Sequence, residues 1–248
     1  MEAKEKQSQP TNNELTLIKA DGWDITFYTD PLCCWSWAMR LDWDRFIQLL
    51  PGAAIRYRMA GLIPSWQHFA DHTNAVTKPI QMGPEWMHAR ALTGAPIDEK
   101  IWVTDPPGSS LPACIAVKSA GLQNIQAAKH YFDAAQRAVL SERRNVAQTA
   151  VLLQIAEEIA LEDRSFDRDR FAQDLLGPEA RQAFRQDMMD WKYLQIGRLP
   201  AIIIRNTAGR QIVLTGYQQL QTLFHAAGRL NDPWSNETPA RWLNSHGK

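Results

Sequence analysis

The stretch Asp30-Pro31-Leu32-Cys33-Cys34-Trp35-Ser36-Trp37 lies between a segment of strand character and one of helical spacing. That position decides the fold. Upstream, Trp23 to Thr29 is β-prone and stops at Asp30-Pro31, because the residue before a proline is pushed out of helical conformations and proline donates nothing to a ladder. Downstream, Trp35, Met39, Trp43, Phe46, Ile47 and Leu50 recur at helical spacing, and Pro51-Gly52 ends the run. Ala54 to Met59 then alternates as a strand, so the stretch joins a β–α–β unit, which requires a parallel strand pair. Leu15 to Ala20, followed by Asp21-Gly22, is expected to add another strand through a tight turn.

Beyond this unit the pattern changes twice. Residues 64 to 110 are rich in Pro, Gly, His and Trp, which predicts loops and short helices. From Ser110 to about Gln195 the periodicity is helical: Ile125, Ala128, Phe132, Ala135 and Val139 mark one helix, and Leu152, Ile155 and Ile159 the next. Asn145 and Gln148 are spaced as a capping box for that second helix. Gly177-Pro178 separates a helix around Phe171 to Leu176 from one bearing Phe184, Met188 and Trp191. Strand character returns at Ala201 to Ile204 and Gln211 to Thr215, with a turn over Thr207 to Arg210, and Tyr217 to Leu230 closes as an amphipathic helix.

The chain has 248 residues, enough for one large domain or a domain with an insertion. Lys plus Arg and Asp plus Glu balance at 27 each, so no global field favours nucleic acid, an anionic membrane or an acidic substrate. No apolar run reaches the roughly 20 residues that span a bilayer. Met1 to Glu14 is polar, reads as a disordered tail rather than a signal segment, and places the expected location in the cytosol. In such a reducing compartment three cysteines, two adjacent, point to chemistry, metal ligation or packing rather than a disulfide framework.

Cys33 sits at a predicted helix N-terminus, where unpaired N–H groups and the helix dipole favour a thiolate. Ser36 lies one turn on, within hydrogen-bonding reach of the sulfur, giving Cys-x-x-Ser spacing. The local sequence leaves open both this reactive thiol and a cysteine pair that only packs. Leu199-Pro200-Ala201 starts an apolar strand with a proline, a position that admits a cis or a trans bond. Cys114 reads as a packed cysteine near the start of a helix capped by Ser109 or Ser110. His68, Asp71 and His72 have i, i+4 imidazoles that could ligate a metal, but no third histidine is close and no metal site is assigned. His88 and His130 read as surface or helix-packing residues. Trp66, Trp86 and Trp102 are core residues, or one or two of them line a groove over Cys33.

The motif Asp-Pro-x-Cys-x-Trp-x-Trp, the helical block and the Leu-Pro-Ala strand start resemble the DsbA family of thioredoxin-like proteins. The likeness is closest to its cytosolic branches, the FrnE-like oxidoreductases and the relatives of the Clp-protease adaptor SpxH. Leu92-Thr93-Gly94-Ala95-Pro96-Ile97, Pro106-Pro107-Gly108-Ser109-Ser110 and Glu142-Arg143-Arg144-Asn145 extend it, over about Ile25 to Gly216. The resemblance implies an α/β thioredoxin-like fold: residues 14–63 and 196–248 form the thioredoxin-like domain, 64–195 a helical insertion, and 1–13 a tail. It implies Cys33 as nucleophile, Cys34 and Trp35 as the variable, substrate-facing pair, Pro200 as the cis proline with Leu199 beside it, and Ser36 in place of the resolving cysteine.

With Ser36 in the resolving position, release of a mixed disulfide on Cys33 needs glutathione, a client thiol or another cysteine of this chain: Cys34 is adjacent, where a disulfide would be strained, and Cys114 is the other candidate. What remains is monothiol exchange on protein thiols and disulfides or glutathione mixed disulfides, without a metal or organic cofactor but with glutathione as a fitting co-substrate. One alternative is a non-catalytic adaptor of the SpxH kind. Another is a glutathione-dependent isomerase or transferase like the kappa-class and hydroxychromene-carboxylate isomerase relatives, in which a serine stands where this chain has Cys33.

Overall fold

The computed structural model describes residues 15–69, 71 and 76–231. The tail expected over residues 1–13 and His72 lie outside them. β1 (Asp24–Thr29), α1 (Cys34–Gln48) and β2 (Ala54–Met59) form the expected unit, with β1 and β2 parallel. The chain then passes through α2 (Met82–Thr93), α3 (Ile101–Thr104), α4 (Leu111–Gly121), α5 (Ile125–Leu140), α6 (Thr149–Glu162), α7 (Arg168–Leu176) and α8 (Pro178–Leu194). It returns to the sheet as β3 (Ala201–Arg205) and β4 (Gln211–Thr215) and ends the described region in α9 (Leu220–Asn231). The sheet order is β2-β1-β3-β4, with β3 antiparallel to both β1 and β4.

Alternation along the strands divides the interior in two. Ile25 and Phe27 of β1 and Ile202 and Ile204 of β3 face a large core, in which Phe27 stacks on Trp43 of α1 at 4.4 Å between ring centres. Tyr57 meets the same Trp43, whose Nε1 donates to the Tyr57 hydroxyl at 3.0 Å. On the opposite face, Tyr28, Ala201 and Ile203 bury a smaller cluster together with Cys33, Ala60, Ile196 and Leu199. The strand alternation therefore places Thr29 on the large-core side, whereas Cys33, beyond the strand, belongs to the small cluster.

The helical block is fastened to the sheet at Asp187 of α8. Its side chain, fully buried, pairs with Arg58 of β2 at 2.5 Å and Lys118 of α4 at 2.8 Å and accepts from the Met59 amide at 3.0 Å. Gly61, just past β2, has φ +67°, and a Cβ there would meet Leu111 and Phe184 at 3.0 Å. Only glycine lets this turn pass between α4 and α8.

Some local expectations are corrected. Leu15 to Ala20 is not a strand; it runs beside the end of α1, with Ile18 N–H donating to Leu49 O at 2.9 Å. The region 64–110 holds a 12-residue helix, α2, where only short helices are expected. Asn145 and Gln148 make no capping box, because α6 starts at Thr149 with Gln148 itself as N-cap, and Asn145 instead turns the backbone by accepting from Ala147 N–H. The last helix begins at Leu220 rather than Tyr217. Ser110 occupies the N-cap of α4 without capping it, since its hydroxyl is drawn to Asp30, whereas Ser109 accepts from Leu111 N–H at 3.1 Å.

Candidate active site

The Asp30–Trp37 loop is held from beneath by its first residue. The Asp30 carboxylate is fully buried and meets four donors: Leu32 N–H at 2.9 Å on one oxygen, and Leu62 N–H at 2.7 Å, Ser110 Oγ at 2.8 Å and Cys114 Sγ at 3.2 Å on the other. Ser110 can donate because its oxygen already accepts from Ile63 N–H. Burial raises the carboxyl's pKa, and the four donors pull it back. In the sequence Asp30 serves only as a strand stop; here it joins the loop, the β2–α2 connection and the start of α4. Cys114 is thus more than a packed cysteine. Its thiol donates to that carboxylate, and burial together with the adjacent charge raises its pKa well above the usual thiol range.

Cys33 is the N-cap of α1, in extended conformation. It is 4% exposed, and its thiol pKa is pushed up to about 11. Burial is the largest cause, hydrogen bonds from Ser36 and the Trp35 amide oppose it, and the Asp30 charge adds to it. The helix N-terminus predicts a lowered pKa; desolvation outweighs it. Cys34 is likewise buried and its thiol raised, by burial first and then by Cys33 and Glu85. The three cysteines are free thiols.

Ser36, 2% exposed, lies behind Cys33 rather than in the cavity. Its hydroxyl donates to Cys33 O at 3.0 Å and accepts from Thr29 Oγ1 at 2.8 Å and from Gln136 Nε2 at 3.1 Å. Gln136 is buried on α5, and its amide also approaches Cys33 O at 3.4 Å and Asp30 O at 3.5 Å. A signal for it exists in the sequence: a glutamine on the same helix face as Phe132 and Val139, which is otherwise apolar.

A cavity of about 480 Å³ opens over Cys33, Cys34 and Trp35. Its strand-side wall is Gly197, Arg198, Leu199 and the Thr215–Tyr217 turn, and its helical wall includes Leu62, Phe69, Asp71, Glu85 and His88. Trp35 spans the two, donating Nε1 to Glu85 and meeting His88 edge-on at 5.4 Å and Tyr217 at 6.2 Å. The Leu199–Pro200 bond is cis, and Pro200 O accepts from Gly216 N–H at 2.7 Å. Leu199 lines the cavity and shares the buried cluster of Cys33, while Pro200 is not among the cavity's lining residues. Arg198 lies over Gly216 and makes no ion pair among the described residues.

Of the two readings of Trp66, Trp86 and Trp102, the structure supports core packing and not the groove. Trp86 and Trp102 are buried against each other at 5.0 Å, Trp66 packs on Trp102, and none of the three lines the cavity, whose aromatic surface includes Trp35, Phe69 and Tyr217. His68 bonds Ser65 at 2.9 Å. His88 does line the cavity, and His130 lies near Glu162 and Asp163. Among the described residues no three His, Cys, Asp or Glu side chains cluster to hold a metal, and no helix is long and apolar enough to cross a membrane.

With this geometry in place, comparisons with known proteins add the family. A thioredoxin family model matches residues 27–225. The ClpXP adapter protein SpxH of Halalkalibacterium halodurans is 24% identical over 190 residues, 74% of this chain. The match spans 58% of that relative's length. A solved structure described as a putative protein disulfide isomerase from Nitrosomonas europaea superposes with TM-score 0.68 at 20% identity, covering 83% of this chain and 96% of that one. The cytosolic disulfide reductase DsbM from Pseudomonas aeruginosa, also solved with GSH, gives TM-score 0.62 at 20% identity, covering 83% of this chain and 97% of its own. These structural likenesses show the fold, including helices between the two halves of the sheet.

Proposed function

Since the chain belongs to the thioredoxin family as a DsbA-like member, we propose that it carries out thiol–disulfide exchange through the single thiol of Cys33, on protein disulfides or glutathione mixed disulfides in the cytoplasm. The observation that carries this reading is that Cys33 lines the cavity together with Trp35 and Leu199. The deprotonated sulfur attacks one sulfur of a mixed disulfide R–S–S–G, where G–SH is glutathione. The S–S bond breaks, R–S⁻ leaves and takes up a proton, and Cys33 carries the glutathionyl group. Ser36 has no sulfur to displace it. A second glutathione thiolate does so, restoring Cys33 and leaving as glutathione disulfide, and no metal or organic cofactor is needed.

The GSH named with DsbM supports glutathione as co-substrate. So does Arg198, a cation on the strand-side wall that would meet a ligand carboxylate. The reading is tested by turnover of a glutathione mixed disulfide with the wild-type chain and with Cys33→Ser: activity lost in the variant supports it, and equal activity removes it.

One observation favours a second reading. Burial pushes the Cys33 thiol up to about 11, which keeps it mostly protonated at neutral pH. A protein-binding adaptor, like the curated SpxH relative, needs no thiolate. Capture of a protein partner that survives Cys33→Ala would support it.

A further inference from the structure

The hydroxyl of Ser36 has one proton and two lone pairs, and its neighbours settle where each goes. Cys33 O, at 3.0 Å, can only accept, so the proton points at Cys33. Gln136 Nε2, at 3.1 Å, can only donate. The orientation of that amide is itself fixed, because Nε2 has three acceptors around it (Ser36 Oγ, Cys33 O and Asp30 O), and turning the carbonyl oxygen inward would set acceptor against acceptor. Thr29 Oγ1, at 2.8 Å, can donate or accept, and with the proton of Ser36 committed it must donate. Both lone pairs of Ser36 are filled.

We infer that Gln136 and Thr29 are positioning residues that make Ser36 an obligate hydrogen-bond donor toward Cys33, so that α5 of the helical block governs the reactivity of a thiol carried by the sheet domain. Ser36 cannot act as a base, because it has no free lone pair. It can stabilise the Cys33 thiolate by turning its proton from Cys33 O to the sulfur. When it turns, Cys33 O keeps the Trp37 N–H at 3.2 Å and the second hydrogen of the Gln136 amide, whose nitrogen is 3.4 Å away. The two donations into Ser36 polarise its O–H and strengthen the bond it gives. This role serves both halves of the exchange: the attacking thiolate in the first step and the Cys33 thiolate that leaves in the second.

The inference rests on the thiol reading of Cys33, and the experiment separates the two. The rate of Cys33 alkylation is measured from pH 7 to 9.5 on the full chain by peptide mass, for the wild type, Ser36→Ala, Gln136→Met and the double variant. Ser36→Ala is expected to slow labelling at pH 8 about tenfold, since a hydrogen bond to a charged group is lost. Gln136→Met, which keeps the volume and removes the donor, should slow it about threefold in the wild-type background and negligibly in the Ser36→Ala background. Thr29→Val should behave as Gln136→Met does, with Thr29→Ser restoring the wild-type rate, which covers the case of a Gln136 variant that does not fold. Equal slowing in both backgrounds, or none in either, overturns the positioning role while leaving the thiol chemistry standing. No labelling of wild-type Cys33 at any pH removes the thiol reading and the inference with it.

Discussion

Asp30→Asn should destabilise the protein and at the same time make Cys33 more reactive. The structure sets both signs. An asparagine does least harm with its oxygen left toward Leu62 N–H, Ser110 and Cys114, which turns its NH₂ toward Leu32 N–H, now bonded to the carboxylate at 2.9 Å. That buried amide loses its acceptor, at about 1–3 kcal/mol, and the three remaining bonds fall from charge-assisted to neutral strength. Against this, the variant no longer buries a charge, whose cost shows in the raised pKa of Asp30. The net loss is expected to be about 2 kcal/mol. The same substitution removes a negative charge that holds the Cys33 thiol up, so its pKa should fall and its alkylation at pH 8 should quicken. Urea denaturation measures the first effect and timed alkylation with peptide mass the second. A variant as stable as the wild type would refute the carboxylate as the tie between loop and helical block. Slower labelling would refute its electrostatic hold on the thiol.

Asp187→Ala leaves Arg58 and Lys118 facing each other beside an unpaired Met59 amide, and should cost about 3–5 kcal/mol in urea denaturation. Cys33 holds its proton more tightly when folded, with a pKa of about 11 against the usual 9.0, so the native state binds more protons between those values. Stability is therefore intact below pH 9 and falls as pH rises toward 11, by up to about 3 kcal/mol from this group; Cys33→Ala should make that slope shallower in pH-dependent denaturation, with Cys34 and Cys114 still contributing. Arg198→Gln should raise KM for a glutathione mixed disulfide about two- to fivefold and leave that for uncharged 2-hydroxyethyl disulfide unchanged, as steady-state rates would show.

The β1–α1–β2 unit is legible in the sequence because its punctuation is local: Asp30-Pro31 stops a strand, Pro51-Gly52 stops a helix, and Ala54 to Met59 alternates. The α4–α8 block is legible by periodicity. The Cys33–Ser36 spacing is legible too, but the electrostatics around it are not. A helix N-terminus is a local feature that predicts a lowered thiol pKa, whereas the burial that reverses it comes from Tyr28, Ala60, Ile196 and Leu199, which are scattered along the chain. Asp30 and Gln136 are hidden for the same reason. Each acts through partners a few tens of residues to over a hundred away in sequence, so neither has a motif. Leu15 to Ala20 misleads because a short apolar segment suits a strand as well as the extended packing it adopts beside α1.

Everything proposed for the site depends on Cys33 exchanging with a disulfide. The wild-type chain and Cys33→Ser would be incubated with glutathione disulfide at pH 8, the adduct located by peptide mass, and the sample then returned to reduced glutathione. One glutathionyl adduct is expected, on Cys33, absent from Cys33→Ser and released by reduced glutathione. No adduct, or one confined to Cys34 or Cys114, would contradict it.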